Sequence, residues 1–407
     1  MNGEGGKWKR FVFAYSANIS AERILDLVIP VISISLTGGI RYATTYIAAN
    51  SVPRLVVGPL LVKIIQENPR RSWCAYGNWI QAVAFGILAI SFSMGILNTW
   101  HFIAAGLIGG VGAGIFGVAL QATVKNILPK KELSSANSTL EVIDSLFTLV
   151  IPVFAGYLVE TFGATLILAF GSGIFMSAGL LRMGLLAGEN ESGNSKGPKK
   201  VTFRSYLRGF FDALVIPFLG DERRLITVSS LCLSSISLLL IPVASSQLSF
   251  LGGGPSLIGI AVSVSGFCGL VTSFLAGRFT RVTSSVRWGL IFIFLALASV
   301  LGIMISPAAG FVVFFVGLCD GLASWLYVSL PTMRMATETS DSLLGIAAGS
   351  MSCNALVAFL IGAGVSCAEQ WGMLILFVLF WMCLALFAIL FNAPLRVVRN
   401  LQKAMDN

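Results

Sequence analysis

Residues 11–36 have the sequence FVFAYSANISAERILDLVIPVISISL. The stretch is long enough to cross a bilayer, since a transmembrane helix needs about 20 predominantly apolar residues. It nevertheless carries Glu22, Arg23 and Asp26, and a charge in hydrocarbon costs roughly 2.5–3.5 kcal/mol on insertion scales. Such groups are kept when they face a wet cavity, pair with an opposite charge, or carry protons or substrate. The stretch therefore predicts a membrane span of a transporter rather than an anchor.

The composition of the whole chain indicates the same class. Of its 407 residues, 56% are hydrophobic and 11% are charged, whereas soluble domains have about 25% charged residues. The net charge of +9 does not indicate nucleic-acid binding, because the basic residues cluster in alternate loops, as in membrane proteins. Seven cysteines are scattered without a CxxC pair, and His101 beside Trp100 is typical of an interfacial anchor. We therefore expect no metal site, no cofactor and no nucleic-acid partner.

Apolar segments recur along the chain and predict an all-α polytopic membrane protein of about twelve transmembrane helices. The predicted spans are 11–36, 41–65, 73–97, 100–124, 138–160, 164–187, 225–248, 256–279, 287–306, 309–333, 343–367 and 370–392. They divide the chain into an N-terminal six-helix half (1–187), a cytoplasmic linker (188–224) and a C-terminal six-helix half (225–407). The connections at 98–99 and 161–163 are short enough to require antiparallel neighbours.

The linker contains two kinds of sequence. GENESGNSKGPKK (188–200) is typical of a flexible connection. After it, Phe203, Leu207, Phe210 and Leu214 recur at helical spacing with arginines between them. This pattern predicts an amphipathic helix on the cytoplasmic membrane surface.

The basic residues also predict the topology. With both termini in the cytoplasm, the lysines and arginines of the loops fall on that side, and Arg41 is the exception. The two halves echo each other, since Leu128-Pro129 follows the fourth span and Leu330-Pro331 follows the tenth. A parallel repeat of six spans is a known transporter plan. We expect a multi-pass, monomeric protein of the bacterial inner (plasma) membrane.

Three segments carry a family resemblance. They are NILPKKELSSANS (126–138), IPVFAGYLVETFG (151–163) and YLRGFFDALVIPFLGDERRL (206–225). Together with six spans on either side of a basic central loop, they resemble the major facilitator superfamily, especially its macrolide-efflux-like and siderophore-exporter-like branch. The resemblance covers nearly the whole chain and implies two pseudo-symmetric six-helix halves with a central substrate cavity.

The chain departs from the pattern of that family at two places. The loop after the second span usually has a Gly-x-Leu-x-x-Asp-Arg pattern, whereas GPLLVKIIQENPRR (58–71) lacks the aspartate. The resemblance therefore implies an altered conformational latch. The antiporter signature of the fifth span is half kept, in Ile151, Pro152, Ala155 and Gly156, which favours export.

The first span has a stripe of polar residues. Asn18, Glu22 and Asp26 stand at steps of four and share one helix face. A carboxylate in a medium of low dielectric constant can gain and lose a proton near neutral pH, so Glu22 and Asp26 are candidates for proton coupling or cation recognition. The alternative is structural, with Arg23 or Arg54 neutralising one of them.

Three further carboxylates stand within apolar spans. Glu141 and Asp144 lie one helical turn apart at the start of the fifth span. They are candidates for a proton relay or, alternatively, for a salt bridge to loop arginines or lysines at the inner gate. Asp320 has no basic residue in its own span, and we predict a role in binding substrate or protons.

Uncharged polar residues and one arginine complete the predicted site. Tyr46, Asn50 and Arg54 recur at steps of four in the second span, and Arg54 is interpreted either as the partner of an acidic group or as a ligand for an anionic substrate. The glycines at 106, 110 and 114 indicate close helix packing. The other candidate substrate-binding residues are Gln121, Trp325, Tyr327 and Asn354.

The prediction is a secondary active transporter that exports an amphiphilic small molecule, such as a drug or macrolide-like compound, by proton antiport with alternating access. Its partners are then the substrate, protons and the lipid bilayer. A dedicated siderophore or metabolite exporter is the alternative. A divalent-metal exporter and a non-transporting membrane sensor remain weaker alternatives, and no nucleotide-binding loop or nucleophile–base pair indicates an enzyme.

Overall fold

The computed structural model describes seven segments of the chain: 2–67, 72–127, 133–184, 215–278, 286–337, 340–370 and 374–392. These segments form α-helices and one short 3₁₀ turn, Ile216–Phe218, which confirms the all-α fold class. The helices are α1 Asn2–Thr37, α2 Arg41–Glu67, α3 Ser72–Ser93, α4 Thr99–Ile127, α5 Leu133–Phe162, α6 Ala164–Gly184, α7 Asp221–Phe250, α8 Pro255–Arg278, α9 Val286–Ile305, α10 Ala309–Thr337, α11 Ser340–Gln370 and α12 Leu374–Asn392.

Many of these helices can cross a membrane. Within the described segments, nine are long and apolar enough to do so. Large apolar side chains cover their outer faces, and Phe154, Phe314 and Leu180 are each more than half exposed. An apolar outer surface is stable when it faces lipid, so the chain is a membrane-spanning protein.

Several predicted boundaries differ from the structure, among them the start of α1 and the end of α3. Helix α1 begins at Asn2, well before the predicted start of the first span. Helix α3 ends at Ser93, so residues 94–98 connect it to α4 instead of the predicted 98–99. Gly95 ends α3 in a left-handed conformation (φ 69°), and the Asn98 side chain accepts a hydrogen bond from the Trp100 backbone N–H at 3.0 Å, which caps α4. The short connection after α5 is confirmed as the single residue Gly163.

The first six helices pack on one another through small residues. Helix α4 contacts both α2 and α3, and α6 contacts α1 and α3. A Cβ atom added to Gly106 would lie 2.7 Å from the Ala49 Cβ, and one added to Gly110 would collide with the backbone carbonyl of Asn50. The predicted glycine stripe is therefore the surface on which α2 packs against α4.

The first six helices meet the last six along two antiparallel helix pairs, α2 with α11 and α5 with α8. A Cβ atom added to Gly362 would lie 2.7 Å from the Ala48 backbone nitrogen, and one added to Gly156 would lie 2.8 Å from the Pro255 carbonyl oxygen. These backbone contacts lie toward the end of the bundle that carries the connections 38–40, 163 and 251–254. We call this end, which is opposite the start of α1, the distal end.

The predicted amphipathic helix and the flexible part of the linker lie outside the described residues. The same holds for the loop that follows α2 at 68–71 and for the first repeated Leu-Pro pair at 128–129.

Candidate functional site

The charged stripe of α1 joins α5 through one arginine. The Arg23 Nη2 donates to both carboxylate oxygens of Asp144, at 2.6 and 2.9 Å, and Nε donates to Oδ1 at 3.2 Å. The Arg23 Nη1 donates to the Asp26 Oδ2 at 2.7 Å. A guanidinium group with this fork geometry fixes both carboxylates in direction as well as in distance. Arg23 is therefore the centre of a three-residue charged cluster.

Glu22 is held separately on the same helix. The Asn18 side-chain nitrogen donates to the Glu22 Oε1 at 2.8 Å. Asn18 is fully buried, and its Oδ1 atom has no hydrogen-bond partner among the described residues. The predicted stripe of Asn18, Glu22 and Asp26 is thus present, but its members have different partners because Arg23 projects toward Asp26 and Asp144.

The cluster is enclosed by helices and still reaches water. The Asp26 side chain is 43% exposed, and those of Arg23 and Asp144 are 23% and 28% exposed. Asp26 lies midway along the predicted first span and is surrounded by charged groups of α1, α2 and α5. Ionised groups at that depth are stable when they line a hydrated space. The exposure therefore indicates a water-accessible cavity between the helices.

Asp320 approaches this cluster from the last six helices. It lies on α10 and is half-buried, within electrostatic range of Arg23 and Asp144. A Cβ atom added to Gly269 of α8 would lie 3.2 Å from the Asp320 Oδ2 and 2.7 Å from the Ser324 Oγ. Because Gly269 has no side chain, α8 can approach closely and still leave room for these two polar groups.

The predicted residues of α2 divide between the cavity and the helix packing. Arg54 is exposed and lies within electrostatic range of Asp26 and Tyr46. Within the described part of the chain no carboxylate pairs with its guanidinium, since Arg23 holds Asp26. Asn50 is 8% exposed, and its Nδ2 lies 3.4 Å from both the Tyr46 hydroxyl and the Gly106 carbonyl oxygen. Asn50 therefore contributes to the contact between α2 and α4.

The polar residues of α10 and α11 are more dispersed. The Trp325 ring is 8% exposed and packs edge-to-face on Phe292 of α9, with centroids 5.5 Å apart. The Tyr327 hydroxyl lies 3.0 Å from the Ser237 Oγ of α7. Asn354 is half-buried, and its Oδ1 atom lacks a partner in the segments described. Thus Trp325 packs within the last six helices and is not part of the charged cluster.

Two candidate residues cannot be placed in the site. The positions of Gln121 and Glu141 fall within α4 and α5, but their side chains lie outside the described residues. The predicted inner-gate salt bridge to loop arginines or lysines involves loops outside the described residues, whereas Asp144 is paired with Arg23 on α1. The reason is the position of α5, which packs directly against α1.

Arg23 was expected only as a group that neutralises Glu22 or Asp26, and its connection of α1 to α5 was not predicted. Its place one turn before Asp26 was visible, but its bidentate contact with Asp144 joins residues 121 positions apart. A second arginine, Arg182, is 4% exposed and lies between the Phe11 and Phe116 rings, 5.2 and 4.8 Å from their centroids. Nothing in the pattern of α6 separates this buried arginine from a loop arginine at a helix end.

The described charges of the site sum to a small negative value. The site has four carboxylates, those of Glu22, Asp26, Asp144 and Asp320. It has three guanidinium groups, those of Arg23, Arg54 and Arg182, and Arg182 lies within electrostatic range of Glu22. When all are ionised, the carboxylates exceed the guanidinium groups by one. Such a site attracts a proton or a cation. In the described ranges, no three His, Cys, Asp or Glu side chains form a group that could hold a metal ion.

Comparisons with known proteins agree with this architecture. The profile of the Major Facilitator Superfamily matches residues 11–363. No curated protein sequence matches the chain. Among solved structures, a bacterial homologue of the iron transporter ferroportin in its inward-facing state is similar, with a TM-score of 0.70 and 18% identity, covering 95% of this chain and 99% of that one.

Two further structures show the same fold. The outward-facing state of that ferroportin homologue, with soaked iron, has a TM-score of 0.61 at 19% identity and covers 95% of this chain and 99% of its own. A structure described as a bacterial metal transporter has a TM-score of 0.63 at 16% identity, covering 95% of this chain and 98% of that one. The family match over residues 11–363, together with this shared fold, indicates a transporter rather than an enzyme.

Proposed function

Because this chain belongs to the Major Facilitator Superfamily, we propose that it is a secondary transporter that exports an amphiphilic, positively charged small molecule by proton antiport. The single observation that carries the proposal is the bridge from Arg23 to Asp26 and Asp144 in a water-accessible space. The sequence resemblance to macrolide-efflux-like and siderophore-exporter-like proteins suggests the chemical range of the substrate.

The bridge suggests how substrate and protons compete. In the absence of substrate, the Arg23 guanidinium occupies the place between two carboxylates that a cationic group of the substrate also favours. A substrate cation that binds Asp26 weakens the contact of that carboxylate with Arg23. Protonation of Asp26 removes its negative charge, and the substrate is then released. The proton and the substrate therefore exclude each other at one carboxylate, which is the basis of antiport.

Asp320 links this competition to movement. It lies on α10, whereas Arg23 and Asp144 lie on α1 and α5. If the first six and last six helices form two rocking halves, the electrostatic contact of Asp320 with Arg23 and Asp144 changes in every cycle. This arrangement supports alternating access about a central site. With both termini in the cytoplasm of a bacterial cell, the distal end faces away from the cytoplasm and is the substrate exit of a monomeric exporter.

Two other substrate classes are supported by specific observations. The similar solved structures are described as iron or metal transporters, and carboxylate oxygens are ligands for hard divalent cations. An anionic siderophore is favoured by Arg54, which is exposed beside the cluster. An organic cation is the better supported substrate class. Arg23 forms hydrogen bonds with two of the carboxylates, and a cationic organic group can replace them.

The proposal is tested by the accumulation of a panel of compounds in pump-deficient cells. The panel contains ethidium, a macrolide, a catecholate siderophore and Fe²⁺, and the cells carry the wild type, Asp26→Asn or an empty vector. We expect lower ethidium and macrolide accumulation with the wild type, and loss of this effect with Asp26→Asn or a protonophore. Export of the siderophore alone or of Fe²⁺ alone would support the corresponding alternative. Equal accumulation of every compound in all cells would contradict an export function for this chain.

A further inference from the structure

The end of α5 is tied to the start of α8 by a glutamate. The Glu160 Oε1 accepts a hydrogen bond from the Ser256 backbone N–H at 2.9 Å, and Oε2 accepts one from the Ser256 hydroxyl at 2.5 Å. Ser256 lies in the first turn of α8, where backbone N–H groups have no partner within the helix. The carboxylate therefore satisfies an unpaired donor and lies at the positive end of the α8 dipole.

The end of α11 is tied to the start of α2 in the same way. The Glu369 Oε1 accepts a hydrogen bond from the Ile40 backbone N–H at 2.7 Å. Ile40 immediately precedes α2, and Arg41 lies within electrostatic range of the Glu369 carboxylate. Each contact joins the first six helices to the last six, and both lie at the distal end.

A glycine makes room for each carboxylate. A Cβ atom added to Gly39 would collide with the Glu369 Oε1, and one added to Gly254 would lie 2.7 Å from the Glu160 Oε1. Each glycine stands just before the helix whose first turn is capped. The two contacts therefore share a backbone donor at the start of a helix, a glutamate from the opposite set of helices, and a glycine that allows close approach.

We propose that Glu160 and Glu369 form a two-point clasp that holds the distal end of the transport cavity closed. The inference rests on the proposed alternating access of two halves. In a repeat of six helices, α5 corresponds to α11 and α8 to α2, so the two contacts are related by the same pseudo-symmetry. Separation of the halves breaks both at once.

The chemistry of the clasp suits a contact that must open repeatedly. Glu160 is exposed and Glu369 is half-buried, so water can solvate each carboxylate as soon as the helices separate. Opening therefore transfers neither carboxylate into hydrocarbon. A charge transferred into hydrocarbon would make opening so costly that the closed state would be irreversible. Glu160 and Glu369 are thus positioning residues that set the balance between distal-closed and distal-open forms.

The test measures how often the distal end opens. Thr45 of α2 lies against Ser366 of α11, with hydroxyl oxygens 3.0 Å apart, so the closed interface protects this position. A Thr45→Cys reporter is placed in a variant from which the seven native cysteines have been removed. The alkylation rate with a membrane-impermeant maleimide then reports the distal-open fraction in proteoliposomes. A Thr37→Cys reporter at the exposed end of α1 controls for access of the reagent.

We expect Glu160→Gln and Glu369→Gln each to raise the alkylation rate of the Thr45→Cys reporter about tenfold, which corresponds to about 1.4 kcal/mol. The double variant should raise it about 100-fold, because the two contacts are far apart and their effects add. Asp221→Asn is the matched control, since the Asp221 carboxylate pairs with Arg224 on its own helix. It should leave the rate unchanged.

Glycine substitutions test the clasp without removing a charge. Gly39→Ala and Gly254→Ala displace the two carboxylates and should raise the alkylation rate as the glutamine variants do. Gly310→Ala is the control, because a Cβ atom there meets nothing within 4 Å. The clasp is overturned if the glutamine and alanine variants both leave the rate within about twofold of the wild type. Because this readout needs no substrate, a raised rate supports the clasp even if the compound panel shows no export.

Discussion

The bridge between α1 and α5 allows a quantitative prediction about Arg23. Replacing it with glutamine removes the bidentate contact with Asp144 and the contact with Asp26. A hydrogen bond to a charged group contributes about 1.5–3 kcal/mol to the free energy of unfolding. The contact with Asp26 contributes less than about 1 kcal/mol, because solvent screens a carboxylate that is 43% exposed. Arg23→Gln should therefore lower the free energy of unfolding by about 2–4 kcal/mol.

The assay is a double-mutant cycle with Asp144→Asn. The free energy of unfolding is measured by titrating the purified protein in detergent micelles with sodium dodecyl sulfate. Once Arg23 is absent, Asp144 has no charge partner among the described residues, so Asp144→Asn should cost little or be stabilising in the Arg23→Gln background. We predict a coupling energy of about 1.5–3 kcal/mol between the two positions. Additive effects, within about 0.5 kcal/mol, would refute the assignment of Arg23 as the partner of Asp144.

Three further predictions follow from the helix contacts and the cavity. Gly362→Leu places a side chain where even an added Cβ atom would lie 2.7 Å from the Ala48 backbone nitrogen of α2, so it should push the two helices apart at the distal end and raise the alkylation rate of the Thr45→Cys reporter. An unchanged rate would contradict this packing. Asp320→Asn should keep the unfolding free energy within about 1 kcal/mol of the wild type, since no arginine of the described residues forms a salt bridge with this carboxylate. It should nevertheless reduce protonophore-sensitive export at least tenfold, and full export would remove Asp320 from the coupling mechanism. Gly110→Ala should lower the melting temperature in detergent, because the added Cβ atom collides with the backbone of α2. Gly173→Ala is the control and should not lower it, because a Cβ atom there meets nothing within 4 Å. Equal melting temperatures of the two variants would exclude a packing role for the α4 glycines.

The helical fold could be predicted from the sequence because apolar length is a local property. The spans around 11–36 and 41–65 correspond to α1 and α2, and the turn after α5 was recognised from its shortness. The end of α3 was placed too late, since Ile96 and Leu97 continue the apolar pattern although Gly95 has already ended the helix. Hydropathy does not distinguish an apolar connection from the last turn of a helix.

The candidate site was only partly predictable, because its partners come from distant parts of the chain. The stripe of Glu22 and Asp26 follows from helical periodicity within one span. Its connection to Asp144 depends on how α1 packs against α5, which a single sequence does not define. Asn50 was expected at the substrate site because it lies on the stripe with Tyr46 and Arg54, and Trp325 because it is adjacent to the stripe of Asp320. The structure shows both in contacts between helices.

The conformational contacts at the distal end were not predictable for a different reason. Glu160 and Glu369 stand at helix ends, where acidic residues are common and usually solvated. Only the pairing of α5 with α8 and of α11 with α2 places them at the start of another helix. Their relationship becomes visible when the two contacts are compared as equivalent positions of a repeat.

The most direct test of the central claim is the uptake of ethidium into proteoliposomes that contain the purified protein and have an acidic interior. The membrane potential is held at zero with potassium and valinomycin, so that the proton gradient is the only driving force. We predict that ethidium accumulates inside while protons leave, and that collapsing the gradient or introducing Asp26→Asn abolishes the accumulation. Equal ethidium uptake with and without the gradient, or unchanged uptake by Asp26→Asn, would contradict proton antiport at this cluster.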